Sequence, residues 1–326
     1  MQRWDANRCN GFLVAIAAVD AAMALSDTHG VGTVIVDNAF HYLWGAFYVR
    51  RAARRGYVCF TTCTGAIPEV VPYGGRVGTM GTNPWTMALP TGSTSVGFDF
   101  VFDWATSVMS NGSVKALHRA GKDVPKGAIV DERGNATTDP SQLAAHQCFG
   151  GHKGYSLCVF TELLAAYGGA FLPTLRGAGG YTPYWKKKKE VRREEEHPKE
   201  QQRNNDHANA ACSFFFLVLR PDALGAGAAY ANGRTQGENV AAVAADVLGH
   251  GNSSSVVSEV SGQPGGQRRR RVGARLPGYG KHLAAERSGR NGGCLLFSAP
   301  EVAALRLLAK KSGVDIQTGD FTEAKP

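Results

Sequence analysis

Three short clusters hold the residues best suited to grip an anion or steer a proton. Gly81-Thr82-Asn83-Pro84 sits inside the run PYGGRVGTMGTNPWTMALPTG. Phe102-Asp103-Trp104-Ala105-Thr106-Ser107-Val108 falls where a strand is expected to hand over to a helix, and Gly150-Gly151-His152-Lys153-Gly154-Tyr155 precedes the most strongly helical segment. Each puts small or hydrogen-bonding residues at a junction between elements, where free backbone N–H groups can meet an anion. Taken singly, each has a plainer reading. Asp103 before Ala-Thr-Ser reads as a helix N-cap, Lys153 as a surface lysine, Gly81 to Pro84 as a turn, and His41 as a core histidine at a strand–helix junction.

The commoner chemical signatures do not fit. No G-x-G-x-x-G follows a strand; Gly278-Tyr279-Gly280 starts one but lacks the third glycine, which disfavours a Rossmann domain. No G-x-x-x-x-G-K-[ST] loop and no H-E-x-x-H is present. The seven cysteines form no C-x-x-C pair, so no metal site is expected and the thiols read as structural, in a reducing compartment.

The elements that must carry these clusters alternate between helix and strand. An alanine-rich helix is expected over Phe12 to Thr28 with Gly30 as its C-cap, then a strand over Val31 to Val36. A helix over Tyr42 to Arg55 and a strand over Tyr57 to Cys63 follow. A glycine- and proline-rich stretch flanks a short strand at Trp85 to Leu89, and a further strand is expected over Val96 to Asp103. Helices are expected over Ala105 to Gly121 and Gly154 to Phe171, separated by a polar excursion over Lys122 to Pro140. Cys212 to Arg220 (CSFFFLVLR) reads as a central strand, and Ala299 to Ser312 as an amphipathic helix with Val302, Leu305 and Leu308 on one face.

Bulk properties narrow the class. The 326 residues, 43% of them hydrophobic, suffice for one large or two ordinary domains. No run approaches the roughly 18 apolar residues of a membrane span, and Met1 to Asn10 has no clear signal-peptide features; no membrane partner and a cytoplasmic location are expected. Of the net charge of +9, +7 lies between Gln267 and Arg290. That run adjoins Ser/Gly/Gln-rich sequence and interleaves no aromatic residues, so a flexible basic insertion is preferred to a nucleic-acid-binding surface. The block Lys186 to Asn209 is charged with no apolar face, and Gly249 to Arg271 is of low complexity; both are expected to be unpacked.

Taken in order, the clusters resemble the type-2 malate/L-lactate dehydrogenase family. The family's N-x-x-H and Tyr-containing helix correspond to Asn38-Ala39-Phe40-His41 with Tyr48, its P-W-G-G-R loop to Pro72-Tyr73-Gly74-Gly75-Arg76, and its G-T-N-P, D-x-A-T-S and G-H-K-G-Y motifs to the three clusters above. Phe214-Phe215-Phe216 is similar to its penultimate strand and Leu276-Pro277-Gly278 to a late cofactor contact. The resemblance implies an α/β (α+β), non-Rossmann fold with a mixed sheet and flanking helices, usually a homodimer, binding NAD or NADP and acting on a small 2-keto or 2-hydroxy acid. It implies cofactor contacts from Phe102, Asp103, Trp104, Ala105, Thr106, Ser107, Val108, Gly151, His152, Lys153, Gly278 and Tyr279, with Thr106 and Ser107 giving hydroxyls and helical N–H groups. His41, Thr82 and Asp103 are implied on the catalytic side, Asp103 orienting a histidine. The implied domains are 1–80 for substrate and dimerisation, 81–220 for NAD(P) with an insertion at 186–209, and 221–326 as a helical return with a disordered insertion at 249–271.

The family's proton-donor histidine lies in an N-terminal D-S-H-G segment, followed by an arginine. Asp27-Thr28-His29-Gly30-Val31 looks similar, but His29-Gly30-Val31-Gly32 leads straight into the strand before Asn38, as the family's later H-G-V-G stretch does. On this register the donor segment is expected to precede the sequence, through a shortened gene model or through degeneration of the chain. Phe40 and Leu43-Trp44 also replace smaller family residues, and Trp44 is placed to block a cofactor pocket.

Overall fold

The computed structural model describes residues 1–170, 211–224, 233–249, 276–290, 302–303 and 305–307. Contacts divide the chain into two units, Met1–Asp246 and Val247–Pro326. The first unit is built on a six-stranded sheet with β1 (Gln2–Asp5), β2 (Val31–Ala39), β3 (Val58–Cys63), β4 (Trp85–Leu89), β5 (Phe100–Trp104) and β9 (Cys212–Leu219), in the order β1-β2-β9-β3-β4-β5. Only β1 and β2 run parallel; the other pairs are antiparallel. The fold is therefore α/β, as the alternation of elements implied, with the mixed sheet that the family resemblance implied, and β9 is central, as its apolar run demanded. The expected boundary at residues 80/81 falls between β3 and β4, which pair with each other in this one sheet.

Helix α1 (Gly11–His29) starts where the Asn10 side chain accepts the Phe12 N–H at 3.0 Å and stops at Gly30, whose φ of 77° lets its N–H reach the Ser26 carbonyl. Its Ala15, Ala18, Val19 and Ala22 are fully buried. Gly32 is what lets it lie so close to the sheet, since a Cβ there would stand 1.8 Å from the Ala22 carbonyl oxygen. By length and composition α1 is apolar enough to cross a membrane, contrary to the expectation that no run comes near that limit. Its other face carries Asp20, which accepts two hydrogen bonds from Arg51 at 2.7 Å.

Several elements differ from the sequence expectation, among them the strand expected over Val96 to Asp103, which spans only Phe100–Trp104. Strand β2 runs to Ala39 rather than Val36, with a register shift between Val36 and Ala39 and Asn38 at φ 55°. Helix α2 (Gly45–Ala53) starts three residues late, because Leu43 has φ 61°, Trp44 is extended, and the Leu43 N–H donates to its own neighbour His41 Nδ1 at 2.6 Å. Helix α3 (Asn111–Arg119) begins at the Ser110 N-cap instead of Ala105. The polar excursion over 122–140 contains a hairpin: β6 (Ile129–Val130) and β7 (Ala136–Thr137) turn around Asp131, whose carboxylate accepts the Arg133 and Asn135 N–H groups. With β8 (Ala145–His146) they form a second, three-stranded sheet.

Helix α4 (His152–Tyr167) follows β8, and the short α5 (Pro221–Leu224) and then α6 (Gln236–Gly249) follow β9. In the second unit, α7 spans Tyr279–Arg290. The charged block 186–209, most of the low-complexity run 249–271 with its arginines, and most of the helix expected over 299–312 lie outside the described residues. Of the cysteines, Cys59, Cys63, Cys148, Cys158 and Cys212 are buried and reduced, and Cys9 is exposed.

Candidate active site

Asp103 stands near the end of β5, opposite Thr86 on β4. Directly opposed residues in a sheet leave it on the same face, so the Thr86 hydroxyl donates to Asp103 Oδ1 at 2.9 Å. Asp103 Oδ2 accepts the indole N–H of Trp44 at 2.7 Å. Trp44 reaches it because the extended 43–44 turn swings the chain over β4, and Gly45 permits the approach: a Cβ there would be 2.4 Å from the Thr86 hydroxyl. The carboxylate expected to orient a histidine is thus held by a tryptophan, a residue the sequence reading marked only as an obstacle.

His41 lies at the same turn but on the surface. Its Nδ1 accepts the Leu43 N–H, so Nε2 carries the proton in the neutral ring. Burial of the ring's inner edge pushes its pKa below the ordinary histidine value. The next residue, Tyr42, is fully buried, stacks on Phe214 at 4.8 Å, and its carbonyl accepts the Tyr48 hydroxyl at 2.7 Å. The tyrosine helix and the phenylalanine strand therefore form the wall beneath this turn.

Thr82 contributes through its backbone. Its carbonyl accepts both the N–H and the hydroxyl of Thr106, at 2.9 and 3.0 Å. Beside it, fully buried Asn83 at φ 33° ties the Gly81–Pro84 turn to α4: its amide donates to Glu162 at 2.8 Å and to the Cys158 carbonyl at 3.1 Å, while its oxygen accepts the Gly65 N–H at 2.9 Å. Asn83 and Glu162 are structural anchors of the site: the sequence reading assigned Asn83 no role of its own within its cluster and did not mark Glu162. The only signal was the asparagine inside the G-T-N-P cluster.

Past Asp103 the chain stays extended, which corrects the expectation of helical N–H groups at Thr106 and Ser107. The Thr106 carbonyl accepts the Phe149 N–H, Ser107 bridges to Cys148, and the Val108 N–H donates to Gln147. These pairings against residues 147–149 outcompete a helix start at Ala105. The Thr106 hydroxyl is buried and committed to Thr82, and the Ser107 hydroxyl donates to the Met109 carbonyl at 2.9 Å. Phe102, Trp104 and Ala105 are partly buried, and the indole N–H of Trp104 is buried without a hydrogen-bond partner among the described residues.

The same pairings bring three of the sequence clusters to one place. A cavity of about 520 Å³ is lined by Pro72 to Arg76, Val108, Gln147, Cys148, Gly150 and Gly151, with the β6–β7 hairpin closing one side. It opens at the N-terminus of α4, where Gly150 and Gly151 adopt φ of 56° and 61° and no side chain caps the helix. Gly151 fits beneath Tyr73, since a Cβ would lie 3.1 Å from its ring, and the His152 ring packs edge-on to Tyr73 at 6.0 Å. His152 and Lys153 are exposed at this mouth. Burial pushes the Cys148 thiol up to about 11, so it is a protonated wall and no nucleophile at neutral pH. Gly278 and Tyr279 belong to the second unit, where Gly278 (φ 88°) precedes α7. No group of three or more His, Cys, Asp or Glu side chains placed to hold a metal occurs among the described residues.

Comparison with known proteins identifies the family. The sequence profile described as malate/L-lactate dehydrogenase matches residues 1–239. A malate/(S)-sulfolactate dehydrogenase of Methanothermus fervidus is 31% identical over 163 residues, 49% of this chain and 47% of that protein. A 2,3-diketo-L-gulonate reductase of Klebsiella pneumoniae is 32% identical over 170 residues, 51% of this chain and 49% of that protein. The chain thus spans about half the length of the curated relatives it matches. The sulfolactate dehydrogenase structure from Methanocaldococcus jannaschii superposes with a TM-score of 0.64 over 95% of this chain and 75% of that one, at 21% identity, and so shares its fold.

Proposed function

The chain belongs to the malate/L-lactate dehydrogenase family, and we propose that it forms the cofactor side of an oxidoreductase passing a hydride between NAD(P)H and a small 2-keto or 2-hydroxy acid. One observation carries this reading: Tyr73 to Arg76, Val108, Gly150 and Gly151 converge on one cavity at the N-terminus of α4. The residues fit a dinucleotide. Two positive-φ glycines present backbone at a helix N-terminus, where the dipole and unpaired N–H groups favour phosphate. Lys153 and Arg76 add cationic groups at the mouth and in the lining. A cavity of about 520 Å³ is within the usual range for small-molecule sites.

When bound, the nicotinamide group supplies or accepts the hydride. The chain's own residues position and charge the site. Thr86 and Trp44 fix the Asp103 carboxylate, and Asn83 fixes the Thr82 turn against α4. With one donor on each oxygen, the Asp103 carboxylate keeps acceptor capacity, and a histidine N–H would have to reach it beside the indole of Trp44. The small hydroxy or keto acids named for the relatives support a substrate of that class, and the family resemblance supports a cytoplasmic homodimer.

The test is a fluorescence titration of the chain with NADPH and with NADH, repeated on Lys153→Ala. Saturable binding of one of them, weakened on the order of tenfold by the substitution, is expected; no binding of either would overturn the reading. A second reading, nucleotide binding without hydride transfer, is supported by the Trp44–Asp103 hydrogen bond. Absorbance assays at 340 nm with a panel of 2-keto acids separate the two.

A further inference from the structure

The C-terminal end of α2 carries Arg50 and Arg51, and Arg54 and Arg55 follow directly. Their spacing makes Arg50/Arg54 and Arg51/Arg55 like-charged i,i+4 pairs, which destabilise a helix unless something compensates. The helix dipole offsets part of this at a C-terminus. Asp20 of α1 compensates one pair only: it takes Arg51 in a two-pronged contact at 2.7 Å and Arg55 at 3.0 Å. Among the described residues no carboxylate lies within ion-pair distance of Arg50 or Arg54. The carboxylate of Asp99, whose field reaches Arg50, is engaged by the Gly92 N–H at 3.0 Å.

Those two arginines do not simply wave in solvent. With Arg51, Arg55, Trp44 and Phe47 they line a cavity of about 340 Å³, separate from the one at α4. Trp44 and Phe47 are both roughly half exposed, at 46% and 49%, although large aromatic rings ordinarily find cover. Arg50 is partly buried, and its burial together with the charge of Arg54 pushes its pKa down. An anion would relieve both costs. Guanidinium forks match phosphate oxygens two at a time, and aromatic walls suit the planar part of a phosphorylated molecule.

We infer that this cavity is a second anion site, taking a small multivalent anion of the phosphate class between Arg50 and Arg54 against Trp44. The space exceeds what a single phosphate fills and suits a diphosphate or a phosphorylated small molecule. Because the same indole holds Asp103, occupancy here reports directly on Trp44 and on the candidate active site.

The probe is inorganic pyrophosphate, titrated into the full chain while the fluorescence contributed by Trp44 is followed as the difference between wild type and Trp44→Phe. A saturable change in that difference is expected. It should weaken on the order of tenfold or more in Arg50→Ala/Arg54→Ala, and measurably in Arg50→Lys/Arg54→Lys, which keeps the charge but loses the fork. Circular dichroism confirms that the variants fold. Lys153→Ala should leave the Trp44 signal intact, which separates this site from the α4 cavity. The proposal is overturned if no Trp44 signal saturates, if the alanine pair binds as tightly as wild type, if the lysine pair is indistinguishable from wild type, or if Lys153→Ala abolishes the signal.

Discussion

The indole N–H of Trp44 donates to Asp103 Oδ2 across 2.7 Å, joining the turn before α2 to the end of β5 over 59 residues of sequence. A hydrogen bond to a charged acceptor contributes about 1.5–3 kcal/mol where it is shielded, and less near solvent. Trp44→Phe and Asp103→Ala should therefore each destabilise the fold, and their double-mutant cycle in urea should show coupling of about 1 kcal/mol. A coupling near zero would mean that the bond leaves Asp103 available.

Asn83 is the tightest polar anchor of the site. Its amide and oxygen serve Gly65, Cys158 and Glu162 from a fully buried position. Asn83→Ala strands several of these groups and should cost about 2–4 kcal/mol in denaturant unfolding. Asn83→Asp should cost more, because it sets a second carboxylate against Glu162.

His146 supplies a pH dependence. It is fully buried, both ring nitrogens lack partners among the described residues, and burial pushes its pKa down to about 4. The unfolded histidine binds its proton near pH 6.5, well before the folded one does. This contribution is complete above about pH 6.5 and is lost as pH falls toward 4, at up to about 3 kcal/mol. His146→Leu should flatten the difference between unfolding curves at pH 7.5 and pH 5. Glu69, pushed up to about 7 by burial, acts in the opposite sense, losing stability as pH rises from its unfolded value through 7. Because the His146 backbone N–H donates to the Glu69 carbonyl at 2.7 Å, the comparison is made on a Glu69→Gln background, which removes that titration.

Gly151 tests the cradle at α4. Alanine there must adopt φ 61° with ψ −119°, outside the left-handed helical region and favoured by glycine alone, costing about 1–3 kcal/mol, and must also push against Tyr73 at 3.1 Å. Gly151→Ala should lower both the melting temperature and NAD(P)H affinity. Adding Tyr73→Ala should restore the steric part of the stability and leave the backbone part. Full restoration by Tyr73→Ala would show that the dihedral cost is negligible.

Much of the frame was legible residue by residue. Gly30 and the alanine-rich run announced α1, and the run CSFFFLVLR announced a buried strand, because caps and apolar runs act locally; the Asn10 cap was found only in the structure. The helix after Asp103 was misplaced for a non-local reason. Thr106, Ser107 and Val108 find partners in Thr82 and in residues 147–149, and no local pattern encodes a partner forty residues away. The hairpin over 129–137 was missed because strands of two residues are too short to show alternation.

The order of the glycine, asparagine, aspartate and lysine clusters determined the family by itself, since each cluster is a backbone or charge requirement written in residue type. Which groups remain available was settled only by tertiary structure. It buried the Thr106 hydroxyl against Thr82, gathered Tyr73, Arg76 and Gly151 around one cavity, and gave the Asp103 carboxylate to Trp44. Those outcomes depend on distances between elements, which side-chain volume and sheet register fix and spacing along the chain does not.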